Sequence, residues 1–568
     1  MAEEKWMLQT KRADFNGLAE RFHIDPVTAR IIRNRGIEGE ENMERYLNGT
    51  PEFLYSPYDL KDMKKSVDIL TEKIKEKKKI RIVGDYDIDG VCSTYLLLTA
   101  FYRLGADADY EIPDRIKDGY GINESIIREA EKDGVDTILT CDNGISAFSQ
   151  VSLAKEFGMT VIVTDHHEVP VDDGKEVLPP ADAVIDPKQS GCNYPFPEIC
   201  GAVVAYKLIE ALYERFQVPK EEWENLLEFA AVATVGDVMR LQDENRIIVK
   251  YGLKRIALTE NLGLKKLIEK NNLDPSAITA YHIGFVIGPC LNAGGRLETA
   301  KLALSLLLSE SEEEADRLAV RLKELNDMRK DMTEQGTEAA RLLVETHLKK
   351  DSVLVVYLPE CHESLAGIIA GRLRECYQKP AIVLTRGAEA VKGSGRSIEH
   401  YHMFQKLSEV KDLLIKFGGH PMAAGLSLKE ENIEEFRRRL NDNSCLGEED
   451  FKAVVWIDVP MPVDYIKESF VEELKKLEPH GQGNEKPLFA QKGLNIRSSR
   501  VVGKNRNVVK LSLYEENGFA VDAVYFGDGM AFEEERAGRR KMDIVYYPEI
   551  NEYNGNRTIQ AVVKRYKF

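Results

Sequence analysis

Residues 79–90, KIRIVGDYDIDG, carry the feature around which the rest of the chain is organised. A short apolar run ends at a glycine, and Asp85, Asp87 and Asp89 follow at alternate positions. Such a run is typical of a buried parallel strand, and open α/β sheets bind ligands at the carboxyl ends of their strands. Three crowded carboxylates repel one another, and a divalent cation, which prefers hard oxygen ligands, would keep them ionised. A solvated acidic turn before the next helix explains these three residues equally well.

Composition narrows the class of protein. The chain has 568 residues, too many for one hydrophobic core, so several domains are expected. It contains no apolar run long enough to span a bilayer, and its N-terminus has no signal-peptide core. Its eight cysteines form no CxxC pair, which favours a reducing, cytoplasmic compartment over a disulfide framework or a zinc ribbon. The net charge of −17 argues against a nucleic-acid binder that is basic over its whole surface, but a local basic groove remains compatible with it.

From residue 79 onward, apolar strand patterns alternate with helical patterns, which predicts an α/β fold with a parallel sheet. Acids or histidines follow four of these strands: the three aspartates above, Asp142 in CDNGIS, Asp165-His166-His167 in TDHH, and Asp186. Right-handed crossovers place the carboxyl ends of parallel strands along one edge, so we expect these side chains to meet. Asp237, in TVGDV, ends an apolar helix, where the helix dipole disfavours an anion. We interpret it as a further metal ligand rather than a surface aspartate.

The remaining patterns predict the domain organisation. Residues 1–60 are interpreted as small helices without recognisable chemistry, 61–308 as the first α/β domain, and 309–349 as a charged connecting helix. Residues 350–448 form a second α/β unit. Short strands separated by Gly/Asn turns over 449–568 predict a small β-barrel.

Three glycine-rich segments suggest phosphate binding. The segment 292–296, NAGGR, would present Arg296, and the segments 393–397 (GSGRS) and 417–420 (FGGH) are predicted to be small-residue turns that expose a cation. Each segment alone is equally consistent with an ordinary glycine turn. In the barrel, aromatic and basic residues could bind single-stranded nucleic acid, or the tyrosines could simply pack the interior: Lys504, Arg506, Tyr546, Tyr547, Tyr553, Arg557 and Tyr566.

The motifs in this order resemble a known family. GDYDIDG, CDNGIS, TDHH and the aspartate of TVGDV resemble the DHH phosphoesterase superfamily. PDRIKDGYG, CGAVVAYKL, NAGGRLETA, GSGRS and FGGHPMAAGLSL look like the RecJ single-strand-specific exonucleases, over roughly residues 50–568. Val83 stands where the simpler phosphatase branch of the superfamily has a histidine ligand, which counts against that branch. The resemblance implies a DHH domain, a long helix, a DHHA1-like domain and an OB-like barrel.

The resemblance also implies an activity: 5′-to-3′ exonucleolytic hydrolysis of single-stranded DNA, in DNA repair and recombination, with two divalent cations, Mn²⁺ or Mg²⁺. The implied metal ligands are Asp87, Asp89, Asp142, His166 and Asp237, with Asp85 as support and His167 on the scissile phosphate. The implied 5′-phosphate site consists of Arg115, Arg296, Ser394 and Arg396, and His420 also faces nucleic acid. We expect a monomer that works on single-stranded DNA, away from membranes, with a single-strand-binding protein or a helicase as a partner.

Two other functions remain open. A DHH phosphodiesterase acting on oligonucleotides or cyclic dinucleotides would use the same ligands, but a small substrate needs no additional barrel domain. A non-catalytic replication scaffold could share the fold, but such relatives have lost ligands, and every expected ligand is present here.

Overall fold

The first domain is built on a parallel sheet, as the alternating pattern predicts. The structure, a computed structural model, describes residues 4–553 and 555–568. Five strands lie in the order Asp107–Glu111, Lys79–Val83, Thr137–Cys141, Thr160–Thr164 and Ala183–Ile185, and all neighbours are parallel. Ile80 and Ile82 enter the larger hydrophobic core, whereas Val83 enters the core on the other face, as the two-residue period of a strand requires. All five carboxyl ends therefore lie along one edge.

Helices cover both faces of this sheet. The smaller core is closed by Glu124–Lys132 and Phe148–Glu156. The larger core is closed by Met63–Lys75, Ile88–Arg103, Gly201–Phe216, Leu227–Gly236, Asp243–Ile256, Leu262–Lys270, Gly288–Leu297 and Lys301–Leu308. The apolar helix predicted before Asp237 is Leu227–Gly236, and the preceding Lys220–Glu224 is a separate short helix. The helix Leu227–Gly236 places Asp237 directly after its last residue.

The helix Glu312–Leu343, continued by a π-helical turn at Val344–Leu348, leads into the second domain. That domain has a mixed sheet, in the order Leu414–Gly419, Ala423–Leu428, Val391–Arg396, Ala381–Arg386 and Leu354–Tyr357, packed by the helices Ala366–Tyr377, Met403–Ser408 and Ile433–Asp442. The predicted turns at 393–397 and 417–420 are wrong, since most of both segments lies in strands. Gly393 is required by packing rather than by a turn: a Cβ there would lie 2.5 Å from Leu384 Cδ2.

The C-terminal domain is a closed barrel. Its strands Phe489–Val502, Val508–Tyr514, Ala520–Phe526, Asn556–Lys567 and Lys541–Tyr553 pair in that order, and the last also pairs with the first. The helices Glu468–Leu474 and Gly529–Arg536 accompany it. Tyr546, Tyr547 and Tyr566 are buried in the barrel core, so these three tyrosines pack the interior. The side chain of Tyr553 lies outside the described residues.

The N-terminal segment belongs to the barrel's core. The helices Phe15–Phe22, Pro26–Asn34 and Glu40–Asn48 contribute Ile31, Ile32 and Met43 to the same hydrophobic cluster as the barrel strands. Lys5–Leu8 forms a strand parallel to Val454–Ile457, where only helices were expected. Among the residues described, no helix has the length and apolarity to cross a membrane.

Candidate active site

Two helix N-termini hold Asp87 and Asp89, two of the aspartates that follow the strand Lys79–Val83. The helix Ile88–Arg103 begins directly after Asp87, whose carboxylate accepts hydrogen bonds from the backbone N–H groups of Asp89 (3.0 Å) and Gly90 (3.1 Å). The carboxylate of Asp89 accepts the first two N–H groups of the helix Gly201–Phe216, at 2.7 and 2.8 Å. A helix N-terminus carries partial positive charge and favours an ionised carboxylate. The two helices thus fix these aspartates at the edge of the sheet.

His166 stands at the centre of an acidic cluster. Its Nε2 lies 3.1 Å from Asp142 Oδ1, 3.4 Å from Asp89 Oδ2 and 3.8 Å from Asp237 Oδ2. One ring nitrogen cannot satisfy three carboxylate oxygens with a single proton. Two further sets have ligand atoms within 4.8 Å of one another: Asp85, Asp87 and Asp142, and Asp142, His166 and His167. The fold therefore brings together all seven residues that the sequence assigned to this centre.

The titration behaviour of the cluster fits a metal site. Burial, reinforced by repulsion from neighbouring aspartates, raises the pKa of Asp87 and raises that of Asp142 well above its usual value. The same causes raise the pKa of Asp237 to about 8. Burial lowers the pKa of His166, which keeps the imidazole neutral and able to act as a ligand. Several hard oxygen donors and one neutral imidazole, short of compensating positive charge, form a donor set suited to divalent cations such as Mn²⁺ and Mg²⁺.

His167 is held in a different state from its neighbour. Burial acts to lower its pKa, but the hydrogen bond from its Nδ1 to Asp165 Oδ1 (2.7 Å) and the charge of Asp165 raise the pKa to about 9. Asp165 is itself fixed by the backbone N–H groups of Ile145 (2.9 Å) and His166 (2.8 Å). At neutral pH His167 is thus a cation beside the cluster, able to donate a hydrogen bond to an anion.

Tyr120 contacts two residues of the acidic cluster, and this role was not predicted from the sequence. Its hydroxyl donates to the backbone carbonyl of Asp142 (2.8 Å) and lies 3.2 Å from His167 Nδ1. It thereby supports Asp142, whose φ of 60° is in the left-handed region. In the sequence, Gly119 and Gly121 on either side of this tyrosine indicate a turn. In the structure both glycines have positive φ.

Four of the five predicted phosphate-binding residues line one cavity between the first and second domains. This arginine cavity, of ≈ 740 Å³, is lined by Tyr86, Arg115, Arg296, Arg372, Ser394 and Arg396 among others. Within the described chain, Arg115, Arg296 and Arg396 have no carboxylate within salt-bridge distance. Burial lowers the pKa of Arg296 to about 10, and the charge of Arg115 adds to the effect. Partly buried, mutually repelling guanidinium groups are suited to binding a phosphate.

Contacts within the arginine cavity fix the side chains in place. Arg296 Nη1 donates to the carbonyl of Ser364 (2.9 Å), across the boundary between the two domains. Arg396 Nη1 donates to Ser394 Oγ (3.2 Å), and the guanidinium of Arg115 lies 4.7 Å from the ring centroid of Tyr86. His420 is the exception: it is exposed and is not among the residues lining this cavity.

Comparisons with known proteins agree with this architecture. Family models match three segments: the DHH family N-terminal domain over residues 79–234, the DHHA1 domain over 350–443 and the RecJ OB domain over 457–565. The single-stranded-DNA-specific exonuclease RecJ of Bacillus subtilis is 38% identical over 565 residues, covering 99% of this chain and 70% of that protein. RecJ of Escherichia coli is 33% identical, covering 98% of this chain and 99% of that protein.

The crystal structure of RecJ from Thermus thermophilus in complex with Mn²⁺ superposes with a TM-score of 0.83 at 27% identity, covering 99% of this chain and 79% of that one. The parallel sheet with its acidic edge and DHH triplet, joined to a DHHA1 domain, defines a DHH-type phosphoesterase. The sequence identity to the RecJ proteins, the length of chain that it covers and the terminal barrel identify the family within this class. The chain belongs to the RecJ family of single-stranded-DNA-specific exonucleases.

Proposed function

We propose that this chain hydrolyses single-stranded DNA from its 5′ end, with two divalent cations, Mn²⁺ or Mg²⁺, held by Asp87, Asp89, Asp142, His166 and Asp237. Asp85 supports this set from the same strand end. The observation that carries the proposal is the neutral His166 facing three carboxylates, beside a cavity whose arginines Arg115, Arg296 and Arg396 have no carboxylate partner among the described residues. The cluster supplies ligands, and the cavity supplies a site for the terminal phosphate.

The chain's own residues account for the steps around the cations. Two divalent cations held by Asp87, Asp89, Asp142, His166 and Asp237 would supply activation of a water molecule and charge stabilisation at the leaving oxygen of an in-line displacement. His167, kept protonated and oriented by Asp165, donates a hydrogen bond to a non-bridging oxygen of the scissile phosphate. Arg115, Arg296 and Arg396 bind the terminal 5′ phosphate, which sets the direction of digestion. His420, outside the arginine cavity, would contact nucleic acid elsewhere.

We extend the proposal to the roles of the domains, the cellular location, the oligomeric state and the partners. The segments 61–308 and 350–448 act as catalytic and DNA-binding domains joined by the helix of 309–349, with 1–60 and 449–568 at either end. The eight free cysteines support a reducing cytoplasmic location. One chain supplies every residue of the site, which supports a monomer; a single-strand-binding protein or a helicase would present the strand in repair and recombination.

The direct test is the release of nucleotides from a single strand labelled at its 5′ end. We expect Mn²⁺-dependent release from single-stranded DNA and none from a blunt duplex. Absence of release with either metal, or release only from dinucleotides, would contradict the proposal; the second result would favour the oligonucleotide phosphodiesterase.

A matched pair of variants tests the assignment of the ligands. Asp87→Asn removes a ligand, so we expect kcat to fall by about 100- to 1000-fold while binding of the strand persists. Asp186→Asn is the control: burial raises the pKa of Asp186 to about 8, so its carboxyl is already mostly protonated at neutral pH and the amide should be tolerated. An equal fall in kcat in the two variants would show that Asp87 is not a catalytic metal ligand.

A further inference from the structure

The arginine cavity is larger and more basic than one terminal phosphate requires. Its ≈ 740 Å³ falls within the range of about 300–1,000 Å³ that binding sites for whole small molecules occupy. Four arginines and Lys392 line it, against two acids, Glu363 and Glu375. A terminal phosphate carries a charge of only about −1.5 to −2. Once the three arginines assigned above hold that group, positive charge and space remain in the cavity.

The remaining positive charge centres on Arg372, which lines the cavity and has no part in the site proposed so far. Within the part of the chain that the structure describes, no carboxylate lies within salt-bridge distance of its guanidinium. The two acids of the lining have other partners. Glu363 pairs with Lys392 at 3.0 Å, and Glu375 pairs with Arg374 at 2.9 Å. The charge of Arg372 is therefore available to a ligand in the cavity.

Arg329, on the long connecting helix, extends this charge. Its Nε and Nη2 both donate to Asn326 Oδ1, at 3.1 and 3.0 Å, which fixes the guanidinium. Burial lowers the pKa of Arg329, and the charge of Arg372 adds to the effect. Burial also lowers the pKa of Arg296, and the charges of Arg115 and then Arg329 add to it. The guanidinium groups thus form a continuous row that leads from the terminal phosphate towards Arg372.

The helix Ala366–Tyr377 adds to the positive potential of the cavity. Its first residues, Ala366, Gly367 and Ile368, line the cavity, and no side chain caps its first turn. A helix N-terminus carries partial positive charge and favours anions, phosphate groups above all. Side chains and backbone therefore both favour an anion that is longer than one phosphate.

The row of positive charge is short. A smaller cavity of ≈ 430 Å³ shares Arg372 and Glu375 with the arginine cavity, and Glu334, Glu338 and Arg341 also line it. Three glutamates against two arginines make this neighbouring space unfavourable for an anion. An anion in the arginine cavity can therefore extend by a few phosphate groups and no further.

We propose that Arg372 and Arg329 form an outer phosphate site, which binds the β and γ phosphates of a single strand with a 5′-triphosphate end. Arg115, Arg296 and Arg396 then hold the α phosphate, and the scissile bond stays at the metal centre. A triphosphate suits this site because its negative charge is spread along a line, as the guanidinium groups are. The inference rests on the proposed exonuclease function and adds to it a substrate class: strands that still carry the triphosphate of their first nucleotide.

Hydrolysis of such a strand uses the same chemistry as that of a monophosphorylated strand. The oxygen of a water molecule bonds to the phosphorus that joins the first and second nucleotides, and the bond from this phosphorus to O3′ of the first nucleotide breaks. The leaving O3′ takes up a proton, and the shortened strand begins with a 5′ monophosphate. The first product is therefore an intact nucleoside 5′-triphosphate, and no pyrophosphate is released.

The test compares kcat/KM for removal of the first nucleotide from two single strands that differ only in a 5′ triphosphate or a 5′ monophosphate. We expect the wild-type chain to favour the triphosphorylated strand by about tenfold and to release the nucleoside triphosphate. Arg372→Gln should bring the ratio of the two values close to one, because it removes charge-assisted hydrogen bonds to the outer phosphates. Arg396→Ala, in the inner site, should lower both values and keep the wild-type ratio.

Arg321→Gln is the matched control. This substitution removes an arginine from the same long helix as Arg329, but the guanidinium of Arg321 is already paired with Glu298, at 2.7 Å. Both kcat/KM values should therefore stay at the wild-type level. A ratio that falls as far in Arg321→Gln as in Arg372→Gln would show that the effect is one of net charge, and this would overturn the outer site.

An unchanged ratio in Arg372→Gln would also overturn the inference, as would release of pyrophosphate or a wild-type chain that cleaves only the monophosphorylated strand. Failure of the exonuclease function itself has a different signature, because the wild-type chain would then cleave neither strand. In that case equilibrium binding of the two strands in EDTA, followed by fluorescence anisotropy, decides the matter. Tighter binding of the triphosphorylated strand that is lost in Arg372→Gln supports the outer site, and equal affinity of the wild-type chain for both strands refutes it.

Discussion

At the scale of single residues, the centre depends on carboxylates that the fold holds close together against their mutual repulsion. Asp87 and Asp89 are fixed by helix N-termini. Asp142 has a positive φ, and the Tyr120 hydroxyl donates a hydrogen bond to its backbone carbonyl. Asp237 follows the last residue of an apolar helix, where the dipole gives it no support. Its ionised form is therefore stable only when positive charge is supplied, and this makes it a useful reporter of metal binding.

The raised pKa of Asp237 predicts how the metal-free chain responds to pH. The pKa is about 8 in the folded chain and about 4 in an unfolded one, so between these values the folded state binds more protons. Its contribution to the free energy of unfolding is complete below about pH 4 and is lost as the pH rises towards 8, by at most about 5 kcal/mol. In EDTA, urea unfolding should show this decline, and Asp237→Asn should make it less steep, with part of it kept by Asp142 and Asp186, whose pKa values are also raised. Adding Mn²⁺ should stabilise the wild-type chain more at pH 8 than at pH 6.

If the wild-type chain and Asp237→Asn lose stability in parallel between pH 5 and pH 8, the aspartate is not held in its protonated form. A stabilisation by Mn²⁺ that is the same in both chains would separate Asp237 from the ion.

At the scale of elements, the arginine cavity depends on how closely a helix approaches a strand. Arg396 and Ser394 lie on the strand Val391–Arg396, and Gly367 lies on the helix Ala366–Tyr377 packed against it. A Cβ at Gly367 would come within 2.9 Å of both Arg396 Nη2 and Ser394 Oγ. The absence of a side chain at this one helical position lets the guanidinium reach the cavity.

Gly367→Ala should therefore act on substrate preference and not on the fold. The flexible tip of Arg396 can move aside, and alanine improves helix propensity by about 1 kcal/mol, so stability should hold or rise. The preference for 5′-phosphorylated over 5′-hydroxyl strands should fall about tenfold, as it should in Arg396→Ala. Competition between the two kinds of end in one digestion measures this ratio.

Gly371→Ala, on the same helix, is the matched control. Gly371 also lines the arginine cavity, but a Cβ there meets nothing within 4 Å. This variant therefore gains the same propensity and adds a methyl group to the cavity without displacing Arg396, which separates the displacement of Arg396 from a loss of space. An unchanged end preference in Gly367→Ala and Arg396→Ala would remove Arg396 from the phosphate site. A loss in Gly371→Ala as large as in Gly367→Ala would show that the effect does not pass through Arg396.

At the scale of the whole molecule, the sequence predicted those features that depend on local pattern. The strand-then-aspartate segments gave the parallel sheet and its acidic edge, because apolar runs and chain direction suffice to place strand ends. The segment 393–396 was wrongly predicted to be a turn, because its glycines are needed for close packing that the local sequence does not reveal: Gly393 packs against Leu384 and Leu426, and Gly395 against Met403. The sharing of one core by the N-terminal helices and the barrel likewise arises from long-range packing.

We propose that segments far apart in the chain meet to hold a pair of divalent ions. Asp87, Asp142, His166 and Asp237 are separated by up to 150 positions in sequence (237 − 87), yet their ligand atoms form one cluster. In two-metal hydrolases the ions lie about 4 Å apart, so two ions bound by this cluster should have a similar spacing.

The most direct measurement is anomalous diffraction at the manganese edge from crystals of the chain soaked in Mn²⁺. We expect two peaks about 4 Å apart, coordinated by oxygens of Asp87, Asp89, Asp142 and Asp237 and by Nε2 of His166. Peaks located elsewhere, or an occupied site that these residues do not reach, would contradict it.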